Sequence, residues 1–140
     1  MPKFPRVSSG TFVPSVSLVG GAGNTTPVYT TNSGTYQIVG NRCYVDVTLT
    51  GDGGAEGAGT GQINIALPVT GAANAAASDF FLVGYFFNGA LEGVVFGAIN
   101  SPYTTISLRY LNAIGTTAAI TGDLQNSGTR NIRLKFWYAI

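Results

Sequence analysis

The chain has 140 residues and a mass of 14.5 kDa, the length of one domain and enough to bury a real core. Charged residues are only 9% against about 25% in an ordinary soluble domain, while hydrophobic residues stay at 45%. There is no histidine, one cysteine and a net charge of +1, which removes the commonest general base and metal ligand, any intrachain disulfide, and the basic footprint of a nucleic-acid binder. No run of 18 apolar residues occurs, so a membrane-spanning helix is not expected, and MPKFPRVSSG lacks the hydrophobic stretch of a signal peptide. This inventory points away from enzyme chemistry and calls for no cofactor.

Taken in chain order, residues 1–10 do not alternate. Pro2 and Pro5 favour extended backbone, Lys3 and Arg6 are cationic, and Phe4 is an isolated apolar anchor. They are expected to form an N-terminal arm, either free or ordered on a partner. From there to the C-terminus the period is two. Strands are expected over 11–18, 27–31, 34–39, 42–50, 62–67, 80–87, 91–99, 104–111 and 131–140. Cys43, Val45, Val47 and Leu49 share one face of their strand. Ile132, Leu134, Phe136 and Tyr138 share one face of theirs, opposite Arg133, Lys135 and Trp137. Glycine, asparagine and serine clusters separate the runs, and the Ala-rich segment 72–78 is too short for more than a loop or single turn. Eight or nine short strands at this rhythm predict an all-β domain over 11–140, an antiparallel β-sandwich of jelly-roll type.

One stretch breaks the alternation. DFFLVGYFFN at 79–88 is apolar on both faces, and LEGVVFGAI at 91–99 nearly so. Gly84 in the middle is a candidate bulge that would change which side faces inward. Either loops cover the second face, or another copy of the chain does. The scarcity of charge favours a second copy and marks Phe81, Val83, Tyr85, Phe87 and Val95 as subunit-interface residues.

No segment carries a catalytic signature. The Gly-rich loop 51–61 has no lysine for a phosphate cradle, and Asp52 and Glu56 lack the further ligands of a dedicated calcium site. Asp46, Asp79, Glu92 and Asp123 could pair in space for glycoside hydrolysis, but nothing in their context distinguishes them from solvated acids. Arg130, Arg133, Lys135 and Trp137 form the densest cationic patch. A guanidinium stacked on the indole could grip a sugar or a base, although an ion pair between subunits or a solvated face explains the pattern more simply. Cys43 fits a small core hydrophobe.

SGTFVPSVSL at 9–18, SGTYQIVGNRCYVDVTLT at 33–50 and GQINIALPVTG at 61–71 together resemble small β-sandwich virion domains of tailed bacteriophages. Such domains form the outer tips of tail fibres and tailspikes or serve as capsid decoration (cement) proteins, generally as homotrimers. The matching residues, among them Pro14, Gly34, Tyr36, Gly40 and Asn41, are turn and core positions. Gly40 and Asn41 supply a tight hairpin that sets register. A fibre protein needs an anchor, a shaft and a tip, whereas this length suits a compact trimer with short arms. The resemblance thus implies a homotrimeric capsid decoration protein on the outer surface of the head, made in the bacterial cytoplasm. It would bind the major capsid protein or another virion protein through Lys3, Phe4 and Arg6, with no nucleic-acid or membrane partner. The alternative is a receptor- or glycan-binding tail-fibre tip with a host glycan as partner.

Overall fold

The computed structural model describes residues 7–24, 29–51, 59–72, 81–87, 92–99, 102–111, 115–121 and 130–140. Among these residues the chain is all β: β1 (Val7–Phe12), β2 (Val16–Val19), β3 (Thr31–Val39), β4 (Arg42–Gly51), β5 (Gln62–Ala66), β6 (Phe81–Phe87), β7 (Glu92–Ile99), β8 (Thr105–Leu111), β9 (Thr117–Ala119) and β10 (Arg130–Ala139). Every pairing is antiparallel. The strands form one sheet in the order β1-β3-β4-β10-β6-β7-β8-β5-β2, with β9 attached to β8. The expected all-β antiparallel fold is present, but as a continuous curled sheet rather than two separate layers.

The curling follows from chain connectivity. β1 and β2 lie at opposite ends of the sheet order, yet only Val13, Pro14 and Ser15 separate them. Four extended steps reach on the order of 14 Å, so the two ends of the sheet must come together. The single strand expected over 11–18 is therefore broken at Pro14, which lacks a donor for the ladder. Its buried carbonyl accepts from Asn32 Nδ2 at 2.9 Å. The segment after β5 closes the other side: Ala72 N donates to Ala139 O at 2.9 Å, and Gly71 N to Tyr103 O at 2.8 Å.

One face of this sheet is the core. The pairing of β4 with β10 sets Cys43 against Tyr138, Val45 against Phe136, Val47 against Leu134 and Leu49 against Ile132. All eight are buried in one cluster with Ile63, Ile65, Phe86, Val95, Ile106 and Leu108 from the opposite stretch of sheet. Alternation in the sequence thus translates directly into an inner and an outer face. The Gly40–Asn41 hairpin is also as expected. Val39 pairs with Arg42 across it, and Gly40 has φ +62°, the conformation a two-residue loop of this kind requires at its first position.

Three expectations are revised. Val7 to Gly10, assigned to the arm, lie in β1 and pair with β3, while residues 1–6 are outside the described residues. Tyr29 and Thr30, placed in a strand over 27–31, precede β3 without strand pairing; 25–28 are not described. β9 is an additional short strand.

β6 carries a bulge next to Gly84. Leu82 pairs with Phe96 and Gly84 with Val95, so Val83 is the extra residue. Its effect is to reset the alternation: Val83 and Phe86, on opposite faces by simple counting, are both buried, and Tyr85 between them is exposed. Much of the apparent two-sided hydrophobicity of β6 is this change of phase.

Tyr138 links core to closure. Its hydroxyl donates to Val69 O at 2.6 Å and accepts from Val69 N at 3.3 Å. Burial, reinforced by its hydrogen bond with Cys43, raises its pKa far above the ordinary phenol value. Burial raises that of Tyr29 too, with Arg130 pulling the other way. A phenol whose folded pKa is raised contributes stability that is intact below its unfolded pKa, near 10, and lost as pH climbs beyond it. Stability is therefore expected to fall above about pH 10, by up to about 1.4 kcal/mol per pH unit for each of the two tyrosines. Urea midpoints between neutrality and about pH 11 measure this, and Tyr138→Phe should reduce the slope. An alkaline slope unchanged by that substitution would contradict the assignment.

Candidate functional site

The outer face of β1, β3, β4 and β10 is built by register alone. Ser9 pairs with Gln37, Gln37 with Tyr44, and Tyr44 with Trp137, giving one row of exposed side chains across four strands. Two residues along, Thr11, Thr35, Asp46 and Lys135 form a second row in the same way. Between the rows runs a groove of about 740 Å³, floored by Gly10, Tyr36, Val45 and Phe136, the side chains of the last three belonging to the other face. Gly10 leaves the inner side of β1 open for Tyr36, since a Cβ there would lie 2.7 Å from its hydroxyl. Tyr36 also meets Phe12 edge to face, with centroids 6.2 Å apart.

The groove is chemically mixed. Trp137 is 49% exposed, its ring centroid 6.5 Å from that of Tyr44. The Arg42 guanidinium lies over the indole at 4.4 Å. Arg42 pairs with Ala139, one row further out, and does not line the groove. Lys135 Nζ stands 3.3 Å from Asp46 Oδ2. This pair is solvated and contributes at most about 1 kcal/mol to stability. A second groove of about 490 Å³ continues beyond it, sharing Asp46 and Lys135 and adding Thr48, Arg133 and Tyr85. Tyr85 donates to Glu92 Oε2 at 2.8 Å, and this bond is the main reason its phenol is harder to ionise than usual.

Further across the sheet the outer face becomes apolar. Arg133 pairs with Tyr85 and Tyr85 with Val94, and Leu111 follows Tyr110, the partner of Val95. Tyr85, Val94 and Leu111 are each about two-fifths exposed.

The residues expected at a subunit interface therefore separate. Val83 and Val95 are buried within the chain's own core, where the bulge and the pairing of β7 with β8 put them; neither reaches the surface. Tyr85 is exposed and Phe87 half-buried. Phe81 lies in β6, but its side chain is outside the described residues, as are Lys3, Phe4 and Arg6. Of the carboxylates considered for hydrolysis, Asp46 and Glu92 are on the outer face, each engaged by a neighbour, while Asp79 and Asp123, like the calcium candidates Asp52 and Glu56, are outside the described residues. Arg133, Lys135 and Trp137 share a face as their spacing requires. Arg130 parts from them: it is fully buried, 5.4 Å from the Tyr29 ring centroid, in space left by the absent side chain of Gly51. Sequence reasoning found Trp137 but not its companions Tyr44, Gln37 and Arg42. The Gly40–Asn41 hairpin would have paired Gln37 with Tyr44, but nothing local places β10 beside β4.

No protein-family model and no curated protein matches the chain. Among solved structures it is similar to the Dettilon tailspike protein (gp208), with a TM-score of 0.64 over 95% of this chain at 16% sequence identity. The chain spans about a quarter of that protein's length, 24%. What the two share is the fold: an all-β domain present as one part of a tailspike polypeptide.

Proposed function

We propose that this chain is a structural protein of the outer surface of a tailed-phage virion, and that it works by binding rather than by catalysis. The observation that carries this reading is the likeness of fold to part of a tailspike over nearly the whole chain, joined to the virion-domain motifs at 9–18, 33–50 and 61–71. The division of labour in the sheet supports it. One face is spent on the core, and the other displays an aromatic and polar groove on one half and an apolar strip on the other. The groove, with Trp137, Tyr44 and Gln37 exposed on rigid strands, favours a recognition module at a tail-fibre or tailspike tip. Residues held by a ladder are better placed for recognition than residues on loops.

A seat on the capsid as a homotrimeric decoration protein is the second reading, favoured by the Tyr85–Val94–Leu111 strip, which another copy would cover. Cement activity would then be linkage: a protein that binds the assembled shell and not its parts shifts the equilibrium toward the shell. Purified protein separates the two. A tail module adsorbs to host cells and competes with phage for them; a decoration protein leaves cells untouched and restores heat resistance to heads that lack it. Under either reading the apolar strip is where copies meet. Val94→Asp is expected to shift the assembly toward single chains at micromolar concentration in light scattering, with the β-sheet signal retained, because Val94 is 40% exposed. An unchanged mass would place the subunit contact elsewhere.

A further inference from the structure

Resting on the reading of the outer face as a recognition surface, we infer that the two adjoining grooves take an anionic saccharide, a short chain of acidic sugar rings lying across β1, β3, β4, β10 and β6. Three features of the geometry converge on that class. First, the indole of Trp137 borders the groove and is held by the Arg42 guanidinium stacked over it, which does not itself line the groove. It offers a fixed apolar plate for the C–H face of a sugar, with Tyr44 beside it. Second, the neighbouring groups are short hydroxyls, one amide and one carboxylate, from Ser9, Thr11, Thr35, Gln37 and Asp46. Such groups match sugar hydroxyls and hold little else. Third, among the described residues the charge on this face is net positive by one, three cations against Asp46 and Glu92. Arg42, Arg133 and Lys135, three of the five described cations, project from this face. Asp46 answers Lys135, and Glu92 is bonded to the Tyr85 hydroxyl. Arg133 is exposed in the second groove, where its planar fork suits a carboxylate bidentately. Nucleic acid fits less well, because so few cations give little affinity for a polyphosphate.

The test is a titration of the full chain with a hexagalacturonate, a sialic-acid hexamer, maltohexaose and a short single-stranded DNA, followed by calorimetry and by the fluorescence of the single tryptophan. The inference expects at least one acidic hexamer to bind, shifting Trp137 emission and weakening as salt rises, with maltohexaose and DNA at least about tenfold weaker. Arg133→Gln and Trp137→Ala, both at exposed positions, should each weaken the acidic hexamer by about tenfold or more while leaving the circular dichroism spectrum unchanged. Equal, salt-insensitive binding of neutral and acidic hexamers overturns the anionic assignment. Tighter binding of DNA, or binding of no saccharide, overturns the site altogether. Adsorption to host cells without saccharide binding would sink this inference alone. Binding to heads but not cells would remove the recognition reading on which it rests.

Discussion

Gly84→Ala is expected to prevent folding or to cost more than about 3 kcal/mol, at the top of the range for overpacking. A Cβ at this position would collide with the backbone carbonyl of Arg133 in β10, with the Arg133 carbonyl carbon and Leu134 Cα each only 2.9 Å away. These are backbone atoms of the central strand and cannot swing aside as a side chain would. Relief would require β6 and β10 to part where Leu134 pairs with Gly84, exposing the core beneath. Gly20 and Gly40, whose added Cβ would meet nothing, are controls for crowding, although their positive φ adds some backbone strain for alanine. Soluble expression and urea midpoints measure the effect. An alanine variant as stable as the parent would mean that the strands do not approach so closely.

The second large effect separates two adjacent aromatics. Phe86→Ala is expected to cost about 3–5 kcal/mol, as for large aromatics removed from a packed core. Phe86 is fully buried, with its ring centroid 5.5 Å from that of Tyr110. Tyr85→Ala, one residue earlier, removes a comparable ring from the outer face and should cost no more than about 1 kcal/mol in a single chain. The contrast tests the bulge itself. Without the extra residue at Val83, Val83 and Phe86 could not both face inward. Comparable losses from the two substitutions would contradict the inward phase of Phe86.

The parts of this fold that could be inferred from sequence are those governed by local physics. β4 and β10 alternate cleanly because each has one wet and one dry face, and Gly40–Asn41 fixes its hairpin because the turn tolerates little else. The first four residues of β1, Val7 to Gly10, carry no strand signal for the converse reason. Val-Ser-Ser-Gly-Thr-Phe lies at the edge of the sheet with most of its residues exposed, so no core imposes a pattern on it. In β6 the sequence signals a bulge through Gly84 but not its phase, and Val83 was accordingly assigned to a surface it never reaches. The groove depended on long-range pairing. Tyr44 and Trp137 are neighbours only because β10, the last strand in sequence, inserts between β4 and β6. No spacing along the chain encodes that insertion, so the site's aromatic pair could not be assembled before the sheet order was known.

Antibody labelling of intact particles under the electron microscope tests the central claim most directly. Label at the tips of the tail appendages is the result this account predicts. Label spread over the head would move the chain to the shell, and its absence from the particle would contradict a virion role altogether.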